Sequence, residues 1–401
     1  MTQQDLIAQV AQSSPTKIIL LVIDGLGGLP HPDTGKSELE TAHIPNLDRL
    51  TAKGICGLTS PVAPGISPGS GPGHLALFGY DPVKNLIKRG VLEAAGIGLE
   101  LGSSDLAARG NFCTVDGAGL LTDRRAGRIP TEESWLLCQE LDKIGLSGAE
   151  VEVHAVKDHR FVVIFHGDGL SEAVSETDPQ QENVPPLLVK SLSPEACGTA
   201  ELANQFIERS RQILGHRSTA NMVLLRGFSK PPKMPSMRQI YKLRPAAVAS
   251  YPMYRGVARL LGMECLETGP TFEDEIDTLS RHYDDYDFFY IHFKAADTAG
   301  EDGDFDGKVR ALEELDPYLP RLTGLEPEVF VVAGDHSTPA ILAAHSWHPV
   351  PVLLRSRWAQ PDDVAELTER ACSRGVLGLF PATDVMSLVL AHALKLSKFG
   401  P

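Results

Sequence analysis

The 401-residue chain has no long apolar segment, no CxxC cysteine pair and no excess of positive charge. The longest apolar run near its start covers residues 18–23, far short of the roughly 20 residues that cross a bilayer. No basic segment of the signal-peptide kind precedes that run. The six cysteines are scattered singles, which is typical of reduced thiols. We therefore predict a cytoplasmic protein without a membrane anchor.

The charge balance limits the possible partners. The chain carries 37 basic and 52 acidic residues, a formal net charge of −15. This charge disfavours nucleic acid and anionic lipid as partners, and an anionic substrate would need a local basic site. Hydrophobic residues make up 42% and charged residues 22%, which predicts a folded protein. Nothing in the sequence indicates an oligomeric state.

The two ends of the chain have the pattern of an α/β fold. Continuous apolar runs predict buried strands, and segments with helical spacing lie between them. Strands that alternate with helices favour a largely parallel sheet covered by helices on both faces. The predicted strands cover 18–23, 288–293, 329–333 and 350–354, and the clearest helices cover 43–50 and 308–319.

The middle of the chain differs from its ends. Its strands are shorter, as at 158–166, and Pro-bearing loops at 178–186 and 227–235 interrupt it. We predict that residues 96–244 form a smaller inserted α+β domain. Residues 1–95 and 245–401 would then form the core.

Polar residues with metal-binding chemistry follow the predicted strands. Carboxylates and imidazoles that meet at strand ends predict a divalent-metal site, with enough ligands for two ions. A serine beside such ions could act as a nucleophile. Taken singly, each residue could instead belong to a turn, a helix cap or a solvated acidic loop. The candidates are Asp24, Ser70, Asp297, Glu301, Asp335, His336 and His345.

The arrangement resembles the archaeal-type cofactor-independent phosphoglycerate mutases of the alkaline phosphatase superfamily. The matching segments run in family order along nearly the whole chain. They are VIDGLG (22–27), PGSGPGH (68–74), LFGYDP (77–82), ARGNF (108–112), DRRAGR (123–128), HFKAAD (292–297), GDHST (334–338) and HSWHPVP (345–351).

The resemblance implies roles for the candidates. Ser70 would become phosphoserine and would share one metal with Asp24, Asp335 and His336. Asp297 and His345 would hold the other metal, with Glu301 where many relatives carry histidine. Because a carboxylate hardens the site, manganese or magnesium is expected over zinc.

The resemblance also implies that the inserted domain binds an anionic substrate. Its cationic residues could otherwise form a solvated, salt-bridged face. Lys294 could stabilise charge or act as an acid, and His74 could orient the loop of Ser70. The substrate-binding candidates are Arg109, Asp123, Arg124, Arg125, Arg128, Arg160 and Arg226.

The resulting expectation is an alkaline-phosphatase-like α/β core with an inserted α+β domain. The enzyme would interconvert 3-phosphoglycerate and 2-phosphoglycerate with two divalent ions, most readily manganese, and without bisphosphoglycerate. Its substrate is a small phosphorylated carboxylic acid. A homoserine-kinase-like phosphotransferase and a metal-dependent phosphatase on the same scaffold stay open, and a non-catalytic binding protein is disfavoured because all the candidate ligands are present.

Overall fold

The computed structural model describes residues 2–400, which divide into two compact units. Among the described residues, the first unit comprises 2–86 and 234–400, and the second comprises 87–233. The strands, in chain order, are β1 (Ile18–Ile23), β2 (Ile55–Ser60), β3 (Leu106–Val115), β4 (Leu121–Asp123), β5 (Glu150–Lys157), β6 (Arg160–His166), β7 (Met222–Ser229), β8 (Pro245–Val248), β9 (Glu264–Cys265), β10 (Phe288–Phe293), β11 (Val329–Ala333), β12 (Val350–Ser356) and β13 (Gly378–Pro381).

Fifteen α-helices accompany these strands within residues 2–400. They are α1 (Gln3–Val10), α2 (Glu38–Thr41), α3 (Pro45–Thr51), α4 (Ser70–Leu77), α5 (Arg89–Gly96), α6 (Thr131–Leu141), α7 (Cys197–Leu214), α8 (Met237–Tyr241), α9 (Pro252–Leu260), α10 (Phe272–Arg281), α11 (Ala295–Glu301), α12 (Phe305–Leu315), α13 (Leu319–Thr323), α14 (Glu369–Cys372) and α15 (Val385–His392).

The first unit is built on an eight-stranded mixed sheet. Its strand order is β13-β2-β12-β11-β1-β10-β8-β9. The central strand β1 pairs in parallel with β10 on one side and β11 on the other. All six residues of β1 are fully buried, so both faces of the sheet are covered. The predicted α/β class is confirmed.

Local sequence explains most of these elements. The predicted strands at 18–23, 288–293 and 329–333 are present at those bounds. The predicted helix at 43–50 begins at Pro45, because proline is well suited to the first helical turn. The strand predicted at 350–354 is present as β12, but it runs antiparallel to β11 and β2. The helix predicted at 308–319 ends at Leu315 and continues as a 3-10 turn through Asp316–Tyr318.

The second unit has a five-stranded antiparallel sheet. Strands β4, β3, β6 and β5 pair in that order, and β7 pairs with β3. One face packs on α6 and α7 around Phe112, Phe161 and Phe206. The prediction of a loop at 227–235 is wrong for its first three residues, since β7 extends through Ser229. The predicted domain limits at 95/96 and 244/245 stay a prediction; the compact units divide slightly earlier in the chain.

Two further expectations concern cysteines and membrane spans. All six cysteines are free; five are buried and Cys197 is exposed. Within residues 2–400, no helix has both the length and the apolar character needed to cross a bilayer.

Candidate active site

The site lies in the first unit, where three neighbouring parallel strands end together. The register pairs Ile23 of β1 with Phe293 of β10, and Val22 of β1 with Ala333 of β11. Asp24, which follows β1, is therefore level with the residues that follow both neighbours. Strand order and register thus bring together candidates that are about 300 residues apart in sequence.

The first cluster surrounds His336. Its Nε2 lies 3.3 Å from Asp24 Oδ1 and 3.2 Å from Asp335 Oδ2. The hydroxyl of Ser70, the first residue of α4, lies 3.1 Å from the same nitrogen. Ligand atoms of Asp24, Asp335 and His336 are all within 4.8 Å of one another, and the three side chains are fully buried. Four predicted residues therefore meet at one point.

Thr338 determines which nitrogen of His336 carries the proton. Its hydroxyl donates to Asp297 Oδ1 at 2.7 Å, so its proton is already used. His336 Nδ1, 2.9 Å away, must then donate to this hydroxyl oxygen. His336 Nε2 is left as an acceptor, free for a cation or for the Ser70 hydroxyl. Burial lowers the pKa of His336 well below its usual value, which keeps the ring neutral.

The second cluster forms around Asp297 on α11. His345 Nε2 lies 3.5 Å from Asp297 Oδ1 and 3.3 Å from Glu301 Oε1. The His345 ring is held by an Nδ1 hydrogen bond to the Pro68 carbonyl at 2.9 Å, which directs Nε2 to the carboxylates. Ligand atoms of Asp297, His336 and His345 also lie within 4.8 Å of one another. The Glu301 side chain is 55% exposed, so it lies at the rim of the site.

Lys294 lies between the two clusters. Its ammonium is 3.1 Å from Asp24 Oδ2 and donates a short hydrogen bond to Asp297 Oδ2. Burial alone would lower the pKa of Lys294, but the two carboxylates outweigh it and raise the pKa above its ordinary value. Lys294 is therefore protonated at neutral pH.

The clusters fit divalent cations. Within the described part of the chain, no donor hydrogen-bonds the buried atoms Asp24 Oδ1 and Asp335 Oδ2. Burial and the charges of Asp24 and Asp297 raise the pKa of Asp335 well above its usual value. Buried carboxylate oxygens without donors are costly unless a cation neutralises them. Oxygen ligands mixed with neutral imidazole suit manganese, magnesium or zinc.

Three residues that were not assigned as ligands form a wall behind Asp24 and Asp335. Tyr254 on α9 donates a short hydrogen bond to Asp24 Oδ2, and its ring stacks on His292 at 3.7 Å. His74 Nδ1 lies 3.2 Å from Asp335 Oδ2 and 2.9 Å from the Ser70 carbonyl. His74 therefore contacts the Ser70 backbone, as the sequence suggested. The contacts of Tyr254 and His292 were missed because Tyr254 lies in an amphipathic helix and His292 in an apolar strand, where buried residues are expected.

Two glycines allow the close packing of the site. A Cβ on Gly73 would lie 2.2 Å from the carbonyl oxygen of Asp335, so only glycine lets α4 approach the strand end. Gly25 has φ +66°, and a Cβ there would also lie 2.7 Å from Thr338 Oγ1. Gly73, three residues after Ser70, and Gly25, directly after Asp24, thus have a steric reason.

In the second unit, three predicted arginines share one face of the sheet. Arg109 of β3 is directly opposite Arg226 of β7, and Asn111 of β3 is opposite Arg160 of β6. Opposed residues point to the same face, as do residues two apart on one strand. Arg109 is buried, with Nε 3.7 Å from Glu93 Oε1.

Neighbouring positive charges affect the pKa of Arg109. Burial lowers the pKa of Arg109 to about 10, against the opposing effect of Glu93. Further positive charges add to the lowering, from Arg89, Arg160 and Arg226. Arg89, at the start of α5, was missed because it lies outside residues 96–244, the range predicted for the inserted domain. We call Arg89, Arg109, Arg160 and Arg226 the arginine face.

The sequence cluster at 123–128 is arranged differently. Asp123 accepts hydrogen bonds from the backbone N–H groups of Arg125 and Gly127, at 2.7 and 2.6 Å, so it stabilises a turn. Arg124 makes a bidentate ion pair with Asp178 at 2.8 and 2.7 Å. Arg125 and Arg128 are exposed. Arg226 also pairs with Asp178, at 3.3 Å, and with Glu176, at 3.2 Å.

Comparison with known proteins identifies the relatives of this chain. Residues 51–219 match the family model of 2,3-bisphosphoglycerate-independent phosphoglycerate mutase. A probable 2,3-bisphosphoglycerate-independent phosphoglycerate mutase of Thermotoga neapolitana is 49% identical, over 99% of both chains. A protein with the same description from Thermus thermophilus is 48% identical, over 98% of both chains.

Solved structures show the same similarity. A Pyrococcus horikoshii protein superposes with a TM-score of 0.84 at 27% identity, over 97% of this chain and 100% of that one. A cofactor-independent phosphoglycerate mutase from Thermoplasma acidophilum gives a TM-score of 0.72 at 28% identity, over 94% and 100% of the two chains.

Proposed function

Because this chain belongs to the family of 2,3-bisphosphoglycerate-independent phosphoglycerate mutases, we propose that it interconverts 3-phosphoglycerate and 2-phosphoglycerate through a phosphoserine at Ser70. The enzyme is an intramolecular phosphotransferase of the isomerase class. Two divalent cations, manganese in the preferred form, serve the site, and bisphosphoglycerate is not required.

The position of Ser70 supports the proposal most directly. Its hydroxyl is 3.1 Å from His336 Nε2, an acceptor, and it begins α4 with Gly69 as the N-cap. The N–H groups of the first helical turn favour negative charge, which a phosphoserine at this position would carry. Nucleophile, acceptor and carboxylates thus occupy one buried site.

The residues that would hold the cations follow from the two clusters. Asp24, Asp335, His336 and Ser70 would hold one, and Asp297, His345 and Glu301 would hold the other. When bound, the cations supply Lewis-acid stabilisation of the phosphoryl oxygens and lower the pKa of the serine hydroxyl.

The phosphoryl group is transferred in two steps, first to Ser70 and then back to glycerate. Ser70 Oγ attacks the phosphorus of 3-phosphoglycerate, and the bond between phosphorus and the 3-oxygen breaks. The proton displaced from the Ser70 hydroxyl ends on the released 3-oxygen, which becomes the 3-hydroxyl of glycerate. Protonated Lys294 stabilises the negative charge on the transferred group. Glycerate reorients and its 2-oxygen attacks the phosphorus of phosphoserine. The bond between phosphorus and Ser70 Oγ breaks, and the proton of the 2-hydroxyl ends on Ser70 Oγ.

The arginine face and its neighbours are proposed to bind the substrate. Guanidinium groups bind carboxylate and phosphate in bidentate geometry. The candidates on the sheet are Arg109, Arg160 and Arg226, and Arg226 shares Asp178 with Arg124. Asp123 would contribute less to binding because it stabilises a turn. Arg125 and Arg128 would contribute less because both side chains are exposed.

Phosphorus NMR tests the function. The manganese-loaded protein with 3-phosphoglycerate, and no bisphosphoglycerate, should produce 2-phosphoglycerate with little free phosphate. Ser70→Ala should lower the rate at least about 10⁴-fold, as loss of a nucleophile does. Ser67→Ala, an exposed serine of the same loop, is the matched control and should retain activity.

Other outcomes would change the assignment. Free phosphate alone would identify a phosphatase. No reaction in a folded, metal-loaded sample would favour another phosphotransferase, with homoserine and ATP as the next pair. An active Ser70→Ala protein would overturn the serine mechanism.

A further inference from the structure

A fully buried lysine lies just outside the two clusters. Lys308, on α12, has no exposed surface, yet its ammonium contacts neither substrate candidates nor the cluster residues described above. It donates to the Gly27 carbonyl at 2.9 Å and to the Thr338 carbonyl at 2.8 Å. Burying an ammonium is costly, so this arrangement needs an explanation beyond packing.

The two carbonyls belong to the two loops that carry the cluster ligands. Gly27 lies three residues after Asp24, and Thr338 lies two residues after His336. The same Gly27 carbonyl also accepts the Thr338 N–H at 3.0 Å. Lys308 thus joins the β1 and β11 strand-end loops at their point of contact.

Thr338 connects Lys308 to both clusters. Its backbone carbonyl accepts from Lys308, while its hydroxyl contacts Asp297 Oδ1 at 2.7 Å and His336 Nδ1 at 2.9 Å. A shift of this carbonyl would move the hydroxyl that orients a residue of each cluster. Partners one step beyond the ligands commonly fix ligand orientation.

Two carboxylates complete the network, the buried Glu38 and the partly buried Glu369. Glu38 Oε1 lies 4.0 Å from the ammonium and accepts the Ala340 N–H at 2.8 Å, while its Oε2 accepts the Leu29 N–H at 3.2 Å. Glu369 accepts the Gly28 N–H at 2.7 Å and the Ser37 hydroxyl at 2.6 Å. Both acids therefore hold backbone of the loops that Lys308 bridges.

We propose that Lys308 is a positioning residue that holds the β1 and β11 loops in the geometry needed to bind divalent cations. The proposal rests on the cation site proposed above. It concerns residues that touch neither substrate nor cation, and it predicts that metal affinity depends on a side chain outside the ligand set.

Manganese binding to the metal-free protein tests this role, by calorimetry and without substrate. Lys308→Met keeps the length of the side chain but removes the donor. The dissociation constant should rise roughly 10- to 100-fold, the range found for such partners. Arg310→Met, an exposed position two residues later on α12, is the control and should bind as the parent does.

A second variant guards against misfolding, because Lys308→Met leaves Glu38 without its counterion. Lys308→Met with Glu38→Gln removes the charge of residue 38 and keeps one of its two acceptor oxygens. The same loss of affinity in this folded double variant supports the proposal. Unchanged affinity in either folded variant overturns it. Failure of both to fold also overturns it, since Lys308 would then support the whole fold.

The steady-state parameters separate positioning from general stability. For a folded variant at saturating manganese, kcat should fall while the KM for 3-phosphoglycerate changes less than about twofold. Because manganese binding is measured without turnover, a failed mutase assignment would leave this test intact.

Discussion

The strand-end clusters of the first unit and the arginine face of the second differ in how far the protein itself neutralises their charged groups. In the clusters, buried carboxylate oxygens of Asp24 and Asp335 lack donors among residues 2–400. On the arginine face, Arg109 and Arg226 already have carboxylate neighbours, Glu93 and Asp178. The first region has buried carboxylate oxygens that a cation would neutralise, whereas carboxylates of the protein partly neutralise the second. Substitutions should therefore have larger effects in the first region.

Asp335→Asn should have the largest effect on activity, and its effect on stability tests the contrast between the two regions. Loss of a charged, buried ligand should lower kcat at least about 10³-fold. The metal-free variant should nevertheless be more stable than the parent at pH 7, by roughly 0.5–2 kcal/mol. Thermal unfolding of metal-free protein measures this gain.

The sign follows from the raised pKa of Asp335, caused by burial and by the charges of Asp24 and Asp297. A group with a raised pKa contributes stability below its ordinary value of 3.8, and this contribution is lost as pH rises through the folded-state value. The advantage of Asp335→Asn should therefore shrink as the pH falls toward 3.8.

Asp316→Asn is the matched control for Asp335→Asn. Asp316 is also buried, but its oxygens accept from the Asn46 and Leu47 N–H groups at 3.0 and 2.8 Å. This variant should lose stability by roughly 1 kcal/mol and keep its activity. A stabilised Asp316→Asn, or a destabilised Asp335→Asn, would contradict the contrast.

Arg109→Gln should have an intermediate effect. If the arginine face binds the substrate, loss of this guanidinium should raise the KM for 3-phosphoglycerate roughly 10- to 100-fold, because charged hydrogen bonds contribute about 1.5–3 kcal/mol. Arg128→Gln should change KM less than about threefold, since that side chain is exposed. The reverse order would show that the 123–128 turn, and not the sheet face, binds the substrate.

Glu301→Ala should have the smallest effect. Because Glu301 is at the exposed rim, we expect manganese affinity to fall only about two- to fivefold. Asp302→Ala, the exposed neighbour, is the control for a simple loss of surface charge. Affinity equal to that of the parent would remove Glu301 from the ligand set.

The strand-end site was predictable because each strand is a continuous apolar run followed by polar residues. Asp24 follows β1, Lys294 follows β10, and Asp335 comes two residues after the end of β11. Parallel strands share one carboxyl edge, so convergence follows from strand identity alone. This reasoning predicts that Asp24, Asp297 and Asp335 lie near one another without knowledge of the register, whereas their role as metal ligands stays a prediction.

The supporting contacts were not predictable in the same way. Tyr254 and Lys308 reach the site from helices whose orientation depends on packing, and local sequence does not encode that packing. In the second unit, closeness in sequence was misleading. Arg109 and Arg226 are 117 residues apart yet opposed across β3 and β7, whereas Arg125 and Arg128 are close in sequence but exposed.

The most direct test of the central claim is an acid quench of the manganese-loaded enzyme during turnover of phosphorus-32-labelled 3-phosphoglycerate. Label should appear on the peptide that contains Ser70, and it should be absent from Ser70→Ala. Formation of 2-phosphoglycerate with no label on protein at any quench time, or label on a residue other than Ser70, would contradict the account.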